Sequence, residues 1–265
     1  MEQDTYLTLK KGEFRKTSNL IKATTELRPD PNTGEKLYDV NATTWGEVTK
    51  IAESQWGMVT RQQLLNAGIT PSVIQGLVSQ GNSFERIASG VYRIDGTPIP
   101  WDQELRAAWL QLAPDTPAWQ RTIDQGVVSH RSASTLFFFG DLWENEHEFT
   151  VRPGTQARRK DVKLHIKAYS EKDCVRYEGM WVTRPARIVA DLLVEYPDFE
   201  AIGQIAADAL RTGTESRSNL DKWLSPQAKR LNPQTDGAAL VQQLLDMAPY
   251  GNQGHVADTA IDMPL

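Results

Sequence analysis

Residues 42–96 crowd three helix starts and two short strands into one stretch, and this spacing restricts the fold more than any other feature of the chain. Thr44-Trp45-Gly46-Glu47 reads as a capping box, with the threonine accepting from a first-turn N–H and the glutamate reaching back. Trp45, Val48, Ile51 and Ala52 follow at helical spacing. Thr60-Arg61-Gln62-Gln63 repeats the box ahead of Leu64 and Leu65, Gly68 supplies a left-handed stop, and Ile69 covers it. Thr70-Pro71 opens a third helix, because a proline at the first helical position has no intrahelical N–H to lose. Val73, Ile74, Leu77 and Val78 form its inward stripe, which turns Ser72, Gln75, Gly76 and Ser79 outward.

Two strands follow, 84–88 and 91–95, joined by Ser89-Gly90. A two-residue turn pairs Ala88 with Val91, Ile87 with Tyr92 and Arg86 with Arg93. Like charges directly opposed in a hairpin are destabilising unless an anion sits between them, and a phosphate suits that place. The unit reads as a winged helix-turn-helix. Ser72, Gln75 and Ser79 are placed to read base edges, and Thr70, the N-cap of the same helix, counts with them as DNA-binding. Thr60 and Arg61 at a helix start, with Arg86 and Arg93 in the wing, are placed to hold phosphates. Against DNA stands the neutral third helix, in a segment (residues 41–97) that balances four basic against four acidic residues. A winged helix that binds another protein is the alternative.

The 265 residues divide by this reading into an N-terminal extension (1–41), the winged helix (42–97), a C-terminal α+β domain (98–248) and a tail (249–265). Gly96, Pro98 and Pro100 form a short stiff linker. Eight Trp and 40% hydrophobic residues suffice for real cores. Cys174 is the only cysteine, which excludes a disulfide framework and any zinc site built on paired thiolates. No apolar run approaches the roughly 18 residues of a membrane span and no signal-peptide core opens the chain, so a cytoplasmic protein with no membrane contact is expected. The net charge of −5 hides a segregation: residues 149–187 carry ten basic against four acidic groups, flanked by acidic segments. Such a block reads as an anion-binding face or as cations paired with neighbouring carboxylates.

In the C-terminal part, Trp101, Leu105, Ala108, Trp109 and Leu112 trace one helix face, and 129–139 reads as a helix stopped by Gly140. Phe149 and Val151, then Val162, Leu164, Ile166 and Ala168, alternate as strands do, as does 180–182; residues 184–193, 199–210 and 237–247 are helical. The expected class is α+β: a winged helix-turn-helix followed by a mixed α/β domain with a small antiparallel sheet covered on one face. Arg152, Arg158, Arg159 and Lys160 gather on and around a hairpin loop containing Pro153-Gly154, and Lys163, His165 and Lys167 share the outward face of the following strand. Arg131, beside His130 at a helix start, is a further phosphate candidate, set against local packing of His130 with Ser129 as a cap. Asp141 with Asp161-Val162-Lys163 superficially matches a metal-dependent nuclease, which needs two carboxylates on one ion and a lysine near the attacking water. Patterns that short arise by chance, and no nucleophile elbow, phosphate loop or paired His–Cys set accompanies them. A non-enzymatic protein without catalytic residue, metal or cofactor is expected.

The run Gly57-Met58-Val59-Thr60, Leu64 to Thr70, Leu77-Val78-Ser79-Gln80-Gly81, Phe84-Glu85-Arg86 and Gly90-Val91-Tyr92 resembles the winged helix of AbiEi-type antitoxins. Val127-Val128-Ser129-His130-Arg131-Ser132-Ala133-Ser134 and Trp181-Val182-Thr183-Arg184-Pro185-Ala186-Arg187 also resemble that family, so the likeness covers roughly residues 45–210. The resemblance implies an antitoxin and autorepressor of a bacterial type IV toxin–antitoxin or phage-defence operon. Its partners would be double-stranded operator DNA with inverted repeats and a cognate nucleotidyltransferase-like toxin. The 40-residue extension and the acidic C-terminal helices depart from the family pattern.

Overall fold

Backbone contacts divide the chain after Gln125, well beyond the stiff segment at 96–100, into a unit of residues 1–125 and one of residues 126–265. The computed structural model describes residues 5–10, 13–18, 27–29, 36–79, 83–156, 159–196 and 198–250.

The first unit opens with β1 (Thr5–Lys10), β2 (Glu13–Ser18), β3 (Leu27–Pro29) and β4 (Lys36–Asn41). They form an antiparallel sheet in the order β2-β1-β4-β3, where the sequence reading had only an extension. The passed-over signal is the Thr-Tyr-Leu-Thr-Leu run at 5–9, rich in residues that favour a pleated sheet.

Next come α1 (Ala42–Glu53), β5 (Met58–Thr60), α2 (Arg61–Asn66), α3 (Pro71–Ser79), β6 (Phe84–Ala88) and β7 (Val91–Ile94). α1 starts at Ala42, so Thr44 lies inside its first turn and not at its cap. The second box forms as read: the Thr60 hydroxyl accepts from Gln63 N at 3.1 Å and Gln63 Oε1 from Thr60 N at 3.0 Å. At its other end Gly68 has φ +89°, while Gly68 N bonds Leu65 O and Ile69 N bonds Leu64 O, both at 3.0 Å. These two bonds close a Schellman motif, and Ile69 is buried over it. Trp45, Val48, Leu64, Ile69, Val73, Ile74, Leu77, Phe84 and Tyr92 share one core.

The strands form a three-stranded antiparallel sheet in the order β5-β7-β6. Ala88 faces Val91 across the Ser89-Gly90 turn, but a bulge at Ile87 then shifts the register by one residue. Arg86 therefore faces Tyr92, and Arg93 faces Glu85. α4 (Gln103–Leu112) packs on this sheet. Buried Arg121 fastens its end, donating to the carbonyls of Leu110 and Ala113 at 2.7 and 2.6 Å. Trp101, expected on the buried face, is 58% exposed because α4 begins only at Gln103.

The second unit runs β8 (Val127–Val128), α5 (His130–Leu136), β9 (His147–Val151), β10 (Val162–Ile166), β11 (Cys174–Tyr177) and β12 (Met180–Thr183). α6 (Pro185–Glu195), α7 (Phe199–Arg211), α8 (Arg217–Leu231) and α9 (Gly237–Met247) complete it. Its five-stranded sheet has the order β10-β9-β8-β12-β11 and is mixed, not antiparallel: β9 with β10, and β8 with β12, run parallel. Because β9 and β10 run parallel, they are not the two arms of a hairpin. The helices cross at glycine: a Cβ on Gly203 of α7 would lie 2.1 Å from Leu244 O, and one on Gly237 of α9 1.8 Å from Asp221 O. Only hydrogen fits at either place. Among the described residues no helix is long and apolar enough to cross a membrane.

Candidate functional site

Two sets of polar side chains stand out, one in each unit. In the first unit, the apolar spacing of α3 turns Val73, Ile74 and Leu77 inward and leaves Thr70, Ser72, Gln75 and Ser79 exposed. Thr70 and Ser72 share a hydrogen bond between hydroxyls at 3.1 Å. Gly76, expected outward, is buried. Arg61 opens α2 with its side chain in solvent, and its amide donates to Gly90 O at 2.8 Å, which ties the helix start to the hairpin turn. Arg86 is likewise exposed, and neither guanidinium has an ion-pair partner among the described residues.

Two expected phosphate ligands in this unit are corrected. Thr60 is fully buried, and its hydroxyl both caps α2 and donates to Pro114 O, so no ligand reaches it. Arg93 is also buried. Its guanidinium pairs with Glu85 and donates to Thr97 O at 2.5 Å. The reason is the bulge together with α4. The bulge removes Arg86 from Arg93 and gives Arg93 a carboxylate, while α4 covers sheet surface that the sequence reading left open. The opposed-arginine vacancy does not exist.

In the second unit the expected basic loop is split. Arg159 pairs with Asp161, with Nε 2.9 Å from Oδ1, and this pair holds the Asp161 carboxyl down at about 2. Arg152 and Lys160 are exposed, and Arg158 lies outside the described residues. Arg131 is occupied: its guanidinium lies 3.8 Å from the Tyr196 ring centroid, with Nε 3.6 Å from the buried Glu148 carboxylate. The nuclease pattern does not assemble either, because Lys163 donates to Glu195 at 2.9 Å and to Tyr196 Oη at 2.6 Å while Asp161 is held by Arg159.

The polar centre of this unit was missed as a centre. Parallel pairing sets Glu148 beside Lys163 and Thr150 beside His165, and α6 offers Arg187, Asp191 and Glu195 at successive four-residue steps. Arg187 grips Asp191 through Nε at 2.9 Å and Nη2 at 2.8 Å, while Lys167 donates to it at 2.9 Å and Tyr169 at 2.6 Å. Burial opposes the Asp191 charge, but Arg187 outweighs it and holds the carboxyl below its ordinary range. Each ring nitrogen of His165 meets a carboxylate: Nε2 lies 2.6 Å from Glu148 and Nδ1 2.8 Å from Glu195. His130 stacks on His165 with centroids 3.5 Å apart. Burial, with His165 alongside, lowers the His130 pKa to about 4 and keeps it neutral. Its φ of +53° is a left-handed conformation costing roughly 1–2 kcal/mol. Ser129 is the N-cap residue of α5 but its side chain makes no cap hydrogen bond; its hydroxyl lies 2.9 Å from His130 Nδ1 and accepts from Thr150 at 2.9 Å. The alternation Lys163-x-His165-x-Lys167 and the α6 spacing were both visible in sequence, but not that they face each other.

No family model and no curated protein matches the chain. Among solved structures it is similar to the RV2827C protein from Mycobacterium tuberculosis, at 14% identity and a TM-score of 0.44, over 86% of this chain and 82% of that one.

Proposed function

We propose that residues 42–94 act as a winged helix-turn-helix that binds double-stranded DNA, with α3 as the helix entering the major groove. The observation that carries the reading is the outward edge of α3, where Ser72, Gln75 and Ser79 stand exposed in a unit whose Arg61 and Arg86 are also exposed and, among the described residues, have no ion-pair partner. Short neutral side chains let a helix approach base edges closely, and glutamine offers the donor–acceptor pair that adenine matches. The two arginines then position the unit on phosphates without reading sequence. The likeness to AbiEi-type antitoxins extends the proposal to a cytoplasmic, non-enzymatic autorepressor. It would bind inverted repeats in its own promoter and counter a nucleotidyltransferase-like toxin in a phage-defence operon.

The test is binding of the full chain to its own upstream DNA across a salt series. Arg61→Ala and Arg86→Ala should each flatten the log–log salt dependence by about 0.9, the contribution of one phosphate contact. An unchanged slope in the double variant overturns the assignment of those arginines. The absence of basic residues from α3 favours one other reading, a unit that docks on protein, and that reading gains if no DNA is bound even at low salt.

A further inference from the structure

We propose that the second unit binds a zinc-class divalent ion between His130, His165 and Glu195, as a brace joining the start of α5, strand β10 and the end of α6. Among the described residues these three form a group whose ligand atoms all lie within 4.8 Å of one another.

Once the other polar contacts of these three residues are assigned, one ligand atom on each remains. His130 Nδ1 is engaged by Ser129 Oγ, which Thr150 holds in turn, so its Nε2 is the nitrogen that remains. His165 Nε2 is engaged by the buried Glu148, so its Nδ1 remains. Lys163 holds Glu195 Oε2, so Oε1 remains. Those three remaining atoms converge. His130 Nε2 is 3.6 Å from Glu195 Oε1, and His165 Nδ1 is 2.8 Å from the same oxygen. A tetrahedral ion with ligands at 2.0–2.1 Å needs its donors about 3.3 Å apart, and the two distances bracket that value. A carboxylate behind one imidazole and a hydroxyl behind the other match the outer partners that orient metal-binding histidines. Glu195 is about one-third exposed, which leaves a side open for a water as fourth ligand.

The donor set of two imidazoles and one carboxylate suits zinc, and it suits cobalt or nickel better than magnesium or calcium, which take oxygen ligands. The two rings lie nearly parallel, 13° apart, and lone pairs lie in the ring planes. Binding therefore splays the stack, and the ring resonances of both histidines should move. This inference is independent of the DNA reading.

The experiment uses the full chain, stripped with a chelator and titrated with zinc chloride by calorimetry, and with cobalt chloride by visible absorption. We expect about one equivalent bound in the micromolar range or tighter, an upward shift in Tm with zinc and none with magnesium, and cobalt bands of a four-coordinate nitrogen–oxygen site. His130→Ala with His165→Ala should weaken binding at least tenfold, whereas His147→Ala, which alters a histidine paired with Glu144 outside the group, should not. No zinc binding by the wild-type chain overturns the proposal, as does binding that survives the double substitution or is lost in His147→Ala. Should the double variant not fold, histidine ring resonances of the wild-type chain decide: zinc must shift those of His130 and His165, and a shift confined to other histidines refutes the site.

Discussion

The outward edge of α3 and the centre between β9, β10 and α6 are both polar, yet they are built on opposite terms. On the outward edge of α3 the side chains are short, neutral and in solvent, and Arg61 and Arg86 of the same unit have no carboxylate partner among the described residues. At the β9, β10 and α6 centre the charges are answered: Asp191 by Arg187, Lys167 and Tyr169, Glu195 by Lys163 and His165, Glu148 by His165. A surface meant for a partner leaves hydrogen-bonding capacity unused, because buried or mutually paired groups have none to offer. A network that fixes the fold uses it up. On the proposed DNA-binding reading, the contrast assigns recognition to the α3 edge and rigidity to most of the polar centre of the second unit.

The largest expected effect tests the rigid side. Glu148→Ala leaves His165, Lys163 and Arg131 without their shared, almost fully buried carboxylate, and should cost about 3–5 kcal/mol in urea unfolding. A loss under about 1 kcal/mol would show the centre to be loosely knit and would break the comparison. Arg93→Ala against Arg86→Ala then separates the two roles inside one hairpin. Removing buried Arg93 from Glu85 and Thr97 should cost about 2 kcal/mol. Exposed Arg86 should change stability by less than about 0.5 kcal/mol while still altering DNA affinity. Gly68→Ala forces a side chain into the left-handed residue that ends α2 and should cost about 1 kcal/mol, read as a lower urea midpoint with an unchanged slope. Gln75→Ala should leave stability within about 0.5 kcal/mol and shift which operator sequences bind best, a change that competition binding with a randomised site reveals. The smallest expected signal concerns Cys174, whose thiol burial pushes up to about 12; alkylation at neutral pH should be slow in the native chain and fast in urea.

How much of this was legible beforehand differs by element. The Thr60 box, the Gly68 stop and the Thr70-Pro71 start are local devices, complete within a few residues, and all three form at the positions read from sequence. The Arg86–Arg93 pairing was an inference across a turn, and one bulged residue sufficed to undo it. α8 escaped notice because its apolar stripe is thin: Leu220, Leu224 and Ala228 are its buried residues, and Pro226 sits inside it. The direction of β10 escaped because alternation defines a strand but not its neighbour's sense.

By itself the sequence determined where α2 begins and ends and where α3 begins, which face of α3 is apolar, and that a single cysteine excludes a disulfide framework and a zinc site of paired thiolates. Those outcomes depend on caps, φ preferences and periodicity, interactions that reach no further than a turn or two. Only the tertiary structure decided that Arg93 is a buried ion pair and Arg86 an exposed cation, and that His130, His165 and Glu195 meet. A charge is defined by what lies within a few ångströms of it, and residues 130, 165 and 195 are brought to that range by strand pairing and helix packing, which no local pattern encodes.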